Sequence, residues 1–362
     1  MSNLSVNTIT DASGGSTASI NGLTPQASNM QPFNRIINGA MTVAQRGASL
    51  TNPNGYTLDR WLVGTATGTT VVQQSTNVPS AEDFSYSLYF NQGATTWSPT
   101  GAGYSAIAQS IEGYNVADLR FGTANAKTTT LSFWVYASLT GTYNVALSNS
   151  TSANFSAGAT RSYVTTFTVA SSNTWQKVTI TIAGDTAGTW AGATNAAGIT
   201  LIFSLGSSSD YNTATTDAWQ TGNYVQTSGA VSLAANANST FYITGVQLEA
   251  GSTASSFAHE NYGDTLQKCQ RYYEVGSGRM NIYSSLGSNY PLGVMAGTGF
   301  QVAKRSAPTV TLGSATASGC YANSGGTENI TTASFSQVAL SLAAGSATFC
   351  TITQPWIASI EL

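Results

Sequence analysis

The stretch "TLSFWVYASL", Thr130 to Leu139, alternates without a break. Leu131, Phe133 and Val135 fall on one face, and Ser132, Trp134 and Tyr136 on the other. A period of two marks a strand with one face buried. Working outward, "WQKVTITIAGD" repeats the pattern with Val178, Ile180 and Ile182 turned inward. "TYNVALSNS", "ITLIFSLGS" and "STFYITGVQLEAG" add further strand-like runs, parted by clusters of Gly, Ser and Asn. Helical periodicity is nearly absent. Many strands of this length with such turns predict an all-β protein whose main body, 33–257, is a jelly-roll β-sandwich.

Composition agrees with a folded β protein and narrows its function. The chain has 362 residues, which suggests about two domains. At 41% hydrophobic it can bury a core, yet only 7% of residues are charged, against about 25% in an ordinary soluble protein. Its surface is therefore built from Ser, Thr, Asn, Gln, Gly and Tyr. A net charge of -3 provides no basic footprint for nucleic acid and no cationic patch for anionic lipid. The 10% aromatic content, with 17 Tyr, argues against disorder. Cys269, Cys320 and Cys350 form no CxxC pair, so zinc and redox readings lack their spacing. Buried free thiols are expected, and a Cys320–Cys350 bridge stays open. "MSNLSVNTIT" has neither a basic n-region nor an apolar h-region, so no signal peptide is expected and synthesis is placed in a cytoplasm. With no run of 18 apolar residues, no membrane insertion is expected.

Two segments stand apart from the strand series. Residues 1–32 are polar, with "DASGGSTAS" as a breaker-rich loop and Pro25 and Pro32 opposing a helix. They read as an extended N-terminal arm, either a disordered tail or a segment ordered only against a partner. Its sparse apolar residues, Leu4, Val6 and Ile9 first among them, suit docking rather than a core. In "QPFNRIINGAMTVAQRG", which follows, Asn38-Gly39 predicts a turn near the first sandwich strand. The second segment is "HENYGDTLQKCQRYYEV", where six of seventeen positions are charged or His. It predicts a short helix over Asp264–Tyr273, with Leu266, Cys269 and Tyr273 sharing a face, and residues 258–269 read as a hinge. Strand-like runs then resume, among them "GFQVAKRSAPTVTLG" and "SATFCTITQPWIASIEL", and predict a smaller C-terminal β-sandwich over 270–362.

Four motifs carry a resemblance: "NRIINGAMTVAQRGAS" followed by "YTLDRW", then "ITGVQLEAGSTASSF", then "YGDTLQKCQRYYE". In this order they resemble bacteriophage tail-fibre and virion appendage proteins that carry a carbohydrate-binding-module-like jelly roll. "KRSAPTVTL" and the terminal "IASIEL" are similar to the same pattern. The resemblance covers roughly 33–362. It implies a virion location, an arm that joins tail, neck or baseplate proteins, a homotrimer, and host attachment through surface polysaccharide. A purely structural virion adaptor or decoration protein is the alternative.

The residues themselves offer little catalysis. A glycosidase needs two carboxylates about 5–10 Å apart, and no DxD or ExxxE stretch occurs among the fifteen acids. There is no GxSxG elbow, and His259 is the only histidine. No catalytic residue and no cofactor are expected, and His259 reads as a domain-junction residue. A sugar site, by contrast, needs aromatic faces with amides and hydroxyls rather than charge. Trp134 and Tyr136 share the outward face of one strand. Trp97, Trp190, Tyr211 and Trp219 lie in turn-rich segments, and Tyr290, Tyr321 and Asn323 in turns of the C-terminal region. These last three are expected at a distal tip, since an anchored arm would leave the other end of the chain free. Each aromatic could equally pack in a core or interface. Glu249 is a conceivable Ca²⁺ ligand, but no acidic cluster supports it, so no metal is expected. Asp59 and Arg60 in "TLDRW" read as an ion pair or hydrogen-bond anchor at the sandwich edge.

Overall fold

The computed structural model describes residues 34–64, 69–80, 82–98, 100–101, 103–150, 159–283, 292–295, 299–314, 316–318 and 349–362. The expected arm, with Leu4, Val6 and Ile9, lies outside these residues, as do Tyr290, Cys320, Tyr321 and Asn323.

The all-β expectation holds. A six-stranded antiparallel sheet runs in the order Ser49–Thr51, Val71–Ser75, Ser87–Asn91, Thr240–Ala250, Thr129–Ala137, Gln176–Ile182. A seven-stranded antiparallel sheet runs Trp219–Thr221, Arg161–Val169, Gly141–Ser148, Ala197–Ser207, Tyr104–Glu112, Leu62–Gly64, Gly55–Tyr56. Their facing sides make one core. Leu131, Phe133 and Val135 are fully buried, as the alternation predicts. Phe133 meets Phe203 at 5.0 Å and Phe167 at 5.2 Å, both edge to face. The strand Ala197–Ser207 is buried on both sides. Its outer side, with Ile202, joins Leu62, Ala146, Val164 and Val225 in a smaller cluster on the second sheet's outer face. Ile202 therefore breaks the alternation of "ITLIFSL", whose other outward residues, Thr200 and Ser204, are polar but also buried.

Asn38-Gly39 is a turn, but not a hairpin. Asn38 takes a left-handed conformation (φ 58°), and its side chain donates to Val43 O and Asp59 O while accepting from Val43 N. The asparagine thus folds the entry segment onto the 57–61 turn.

The predicted helix forms two residues earlier than expected, over Tyr262–Gln270. Its buried residues are Thr265 and Cys269, continued by Tyr272, whereas Leu266 is only half-buried. The helical period places 265 and 269 on one side, and Tyr272 continues that side just past the helix end. His259, expected at a domain junction, has its ring between Phe84 (5.2 Å) and Phe257 (4.9 Å), both residues of the sandwich segment.

Beyond the helix, Tyr273–Tyr283 and Phe349–Ser359 pair over eleven residues at the centre of a five-stranded antiparallel sheet with Leu292–Met295, Thr309–Leu312 and Thr316–Ser318. Trp356 lies against Gly276, where any side chain would collide with the indole. The buried ion pair Lys304–Glu274 fixes the segment in front of this sheet.

The end of the chain returns to the sandwich rather than projecting from it. Glu361 takes Arg60, and Arg46 at 2.7 Å. The two guanidinium groups each lie 3.6 Å from a ring centroid, Arg60 on Tyr272 and Arg46 on Tyr273. Tyr56 donates its hydroxyl to Leu362 O, and Leu362 packs with Ala197, Tyr272 and Ile37. Asp59 and Arg60 are therefore both anchors, but not to each other. Asp59 accepts two bonds from Gln45 and faces Arg46. Because burial opposes charge there, the Asp59 carboxyl is raised above its usual value despite Arg46 and Gln45.

Candidate functional site

The outer face of the six-stranded sheet gathers aromatic side chains in one row. Tyr89 lies between inward Leu88 and Phe90, Tyr242 between inward Phe241 and Ile243, and Tyr136 beside inward Val135. Strand alternation thus turns one ring outward from each of three adjacent strands. Register then aligns them, since Tyr242 pairs with Tyr89 on one side and Tyr136 on the other. Trp175 precedes the next strand, whose Gln176 pairs with Val135, and so falls beside Tyr136. Ring centroids are 4.6 Å apart for Tyr89–Tyr242, 5.0 Å for Tyr242–Tyr136 and 5.6 Å for Tyr136–Trp175. The interplanar angles run from 39° to 79°, so the rings form a faceted row and not a flat plate. All four are half-buried.

Amides frame the row. Trp175 donates its indole N–H to Asn77 Oδ1 at 3.1 Å, and the Asn77 side chain also bonds the Tyr242 phenol. Asn91 Nδ2 donates to the Tyr89 hydroxyl at 2.7 Å, and Gln73 pairs with Tyr89 across the sheet. The Tyr242 phenol is raised above its ordinary value, first by burial and then by Tyr89.

Part of this outer face is covered by the protein's own loops, while Lys177, Thr179 and Thr181 on the edge strand stay exposed. The connection between Val71–Ser75 and Ser87–Asn91 crosses it from Asn77 beside the row to Phe84, whose ring lies on Gly245. Gly245 has φ +59° and no room for a side chain beneath that ring. Further along, Thr130 donates to Gly251 O, and Ser255 donates its N–H and hydroxyl to Glu249. The Glu249 carboxylate is thus occupied by its own loop and by Gln247.

The sequence-predicted aromatics divide. Tyr136 belongs to the row. Trp134 is one step along the same face, with Thr244 and Lys177 as cross-strand neighbours. Trp190 and Trp219 meet each other at 5.3 Å elsewhere, and both meet Phe121, at 5.0 and 5.6 Å. They pack against the sandwich core, with their indole N–H groups given to Ala187 O and Ala183 O. Trp97 is half-buried in a loop whose backbone bonds Ala234 O. Tyr211 packs edge to face on Tyr104. Sequence reasoning missed Tyr89, Trp175 and Tyr242. The signal was present for two of them, as a lone aromatic at the outward position of an alternating strand.

Among the described residues, no three His, Cys, Asp or Glu side chains converge as a metal site, and no helix is long and apolar enough to cross a membrane.

No protein-family model matches the chain, and no curated protein matches its sequence. Solved structures do. The enzymatically active domain of tailspike protein 4 from bacteriophage CBA120 is 13% identical with a TM-score of 0.33, over 60% of this chain and 21% of that one. The family 11 carbohydrate-binding module from Clostridium thermocellum, in complex with a β-1,3-1,4-mixed-linked tetrasaccharide, is 10% identical with a TM-score of 0.28, over 59% and 98%. The CBM22-1 xylan-binding domain from Paenibacillus barcinonensis is 9% identical with a TM-score of 0.25, over 57% and 94%. This chain thus spans about a fifth of the tailspike chain.

Proposed function

We propose that the protein is a non-enzymatic bacteriophage tail fibre or virion appendage that binds uncharged host-surface glycan along the Tyr89–Tyr242–Tyr136–Trp175 row. The observation that carries this reading is the register that brings the four rings together on one outer face. Neighbouring strands lie about 4.8 Å apart, close to the length of one sugar unit in an extended chain. A glycan laid across the strands would therefore meet about one ring per sugar. Asn77, Asn91 and Gln73 stand where sugar hydroxyls need partners. Lys177, the cross-strand neighbour of Trp134, faces Glu82 at 3.5 Å, and the four rings and their amides carry no charge, so the row favours a neutral ligand. Virion attachment by the arm, trimerisation and the absence of catalysis rest on the motif resemblance and on the lack of paired carboxylates in the sequence.

The experiment is a glycan array with the intact protein and with Tyr136→Ala. Binding of neutral oligosaccharides that the variant loses supports the reading. Equal binding by both proteins, or none by either, removes it. A second reading, a structural virion adaptor, draws on the tilted and edge-to-face contacts, which spend part of each ring on its neighbour. Under it, fluorescent protein would incorporate into particles yet leave host cells unstained.

A further inference from the structure

The charge-dense segment around the helix Tyr262–Gln270 plays no part in the aromatic row. A cavity of about 310 Å³ opens where this segment meets the sandwich. Arg35, Lys268 and Arg271 line it, together with Glu112, Tyr114 and Asn115. Three of the chain's twelve basic residues thus face one cavity.

The local charge balance runs against that of the whole chain. Arg35 is bidentate to Asp118, which also takes Lys127 at 3.7 Å. Lys268 pairs with Glu260. Arg271 gives Nε and Nη2 to Glu112, and Nη1 makes no hydrogen bond to that carboxylate. Behind them, the Arg305 guanidinium donates to the carbonyl oxygens of Asn195, Ile360 and Glu361. The cavity wall thus carries three basic residues (Arg35, Lys268, Arg271) against one acidic residue (Glu112), with Asp118, Glu260 and Asp264 close by, in a protein of net charge -3. Burial pushes Glu112 up, but hydrogen bonds from Arg271 and Tyr272 outweigh it and hold the carboxyl below its usual value.

The rim adds an aromatic face. Tyr114 is 61% exposed, the largest exposure among the large hydrophobic residues described. Its backbone is fixed by a bond from its N–H to Thr194 O. A large aromatic left in water beside a cavity gains from covering by an apolar face. The C–H face of a pyranose is such a surface, and the amide of Asn115 stands beside it for a hydroxyl.

We propose that this cavity is a second binding site, for a carboxylate-bearing saccharide such as a uronic acid unit of an acidic polysaccharide. The carboxylate lies against Lys268 and Arg271, and the ring stacks on Tyr114. Arginine and lysine suit a carboxylate by charge and by donor geometry, and a cavity of about 300 Å³ is at the small end for ligand sites. The site does not depend on the aromatic row.

The test is calorimetric titration of the intact protein with trigalacturonate and with its carboxyl-reduced, neutral counterpart. Trigalacturonate should bind at least tenfold more tightly, and the difference should shrink with added salt. Tyr114→Ala and Lys268→Gln alter exposed side chains, so unchanged melting temperatures are expected. Each should weaken trigalacturonate binding about tenfold, while Tyr136→Ala leaves it unchanged. Equal affinity for the acidic and neutral sugars, or no binding of either, would overturn the proposal. So would binding that survives both variants, or displacement by inorganic phosphate at equal concentration, which would mark a general anion site. Loss on Tyr136→Ala alone would assign the acidic sugar to the row instead.

Discussion

Two aromatic clusters in this molecule look alike in sequence and differ in what lies beneath them. Phe121, Trp190 and Trp219 close an edge of the sandwich, packed against its core, with both indole N–H groups spent on carbonyls of nearby loops. Tyr89, Tyr136, Trp175 and Tyr242 sit on the opposite side of their sheet from that core. Their polar groups meet asparagine side chains, which are themselves capable of bonding a ligand. Trp190 and Trp219 are half-buried, as are the four rings of the row, so exposure alone does not separate them. The separating quantity is the partner: backbone carbonyls lock a ring in place, whereas side-chain amides leave it able to exchange partners with a sugar.

The largest effect should come from breaking the packed cluster. Trp219→Ala removes a ring that meets Phe121, Trp190 and Tyr163 and opens a cavity at the sheet edge. A loss of about 3 kcal/mol is expected in chemical denaturation. Glycan affinity, measured well below the lowered midpoint, should stay at the wild-type value. A variant that lost affinity while keeping its stability would reverse the assignment of the two clusters.

Tyr136→Ala should act the other way. The ring lies outside the core, between Tyr242 and Trp175, and its removal takes the centre from the row. Affinity for a neutral oligosaccharide should fall about tenfold, near 1.4 kcal/mol, with a stability loss of about 1 kcal/mol or less. Titration and denaturation of the same sample give both numbers. A stability loss above that of Trp219→Ala would make the row a second packed cluster.

Asn77→Ala sharpens the contrast further. It deprives Trp175 and Tyr242 of one shared partner, while the Asn77 carbonyl still accepts from Ser87. About 1 kcal/mol of stability is expected to go. If the amide also orders the rings for a ligand, affinity should drop about threefold, and Asn77→Asp should restore the acceptor for the indole but not the binding.

The strands that carry these clusters were legible because alternation writes the inner face directly: Leu131, Phe133 and Val135 are all buried as their spacing predicts. The same alternation marked Trp134 and Tyr136 as outward. It could not show which outward residues stay uncovered, because that depends on the 76–86 connection and on the segment after Ala250, loops with no periodic signal. Nor could it group Tyr89, Tyr136 and Tyr242, since their pairing is set by register between strands distant in sequence. Nor could turn-rich surroundings show that Trp190 and Trp219 pack against the core, because turns at an open sandwich edge can fold their aromatics back onto it. The Arg60–Glu361 anchor was half visible, as a buried-looking charge in "TLDRW", but its partner lies three hundred residues away.

The smallest expected effect is no effect at all, and it follows from the chemistry of the row. Tyr242 has a pKa raised above its ordinary value of 10.0 by burial and by Tyr89. A phenol with a raised folded-state pKa keeps its proton at every pH below 10, so its contribution to stability is complete there. That contribution is lost only as pH rises past 10 and through the higher folded-state value. The one histidine, His259, sits between Phe84 and Phe257, away from the four rings. Neutral-glycan affinity should therefore be flat from about pH 5 to 9 and fall only above 10, where the phenolate would have to form beside Tyr89. Titrations at pH 5, 7, 9 and 11 check this directly. A step in affinity between pH 5 and 7 would mean that a carboxylate or an imidazole reaches the ligand, and the binding face would then have to be sought at the junction rather than on the sheet.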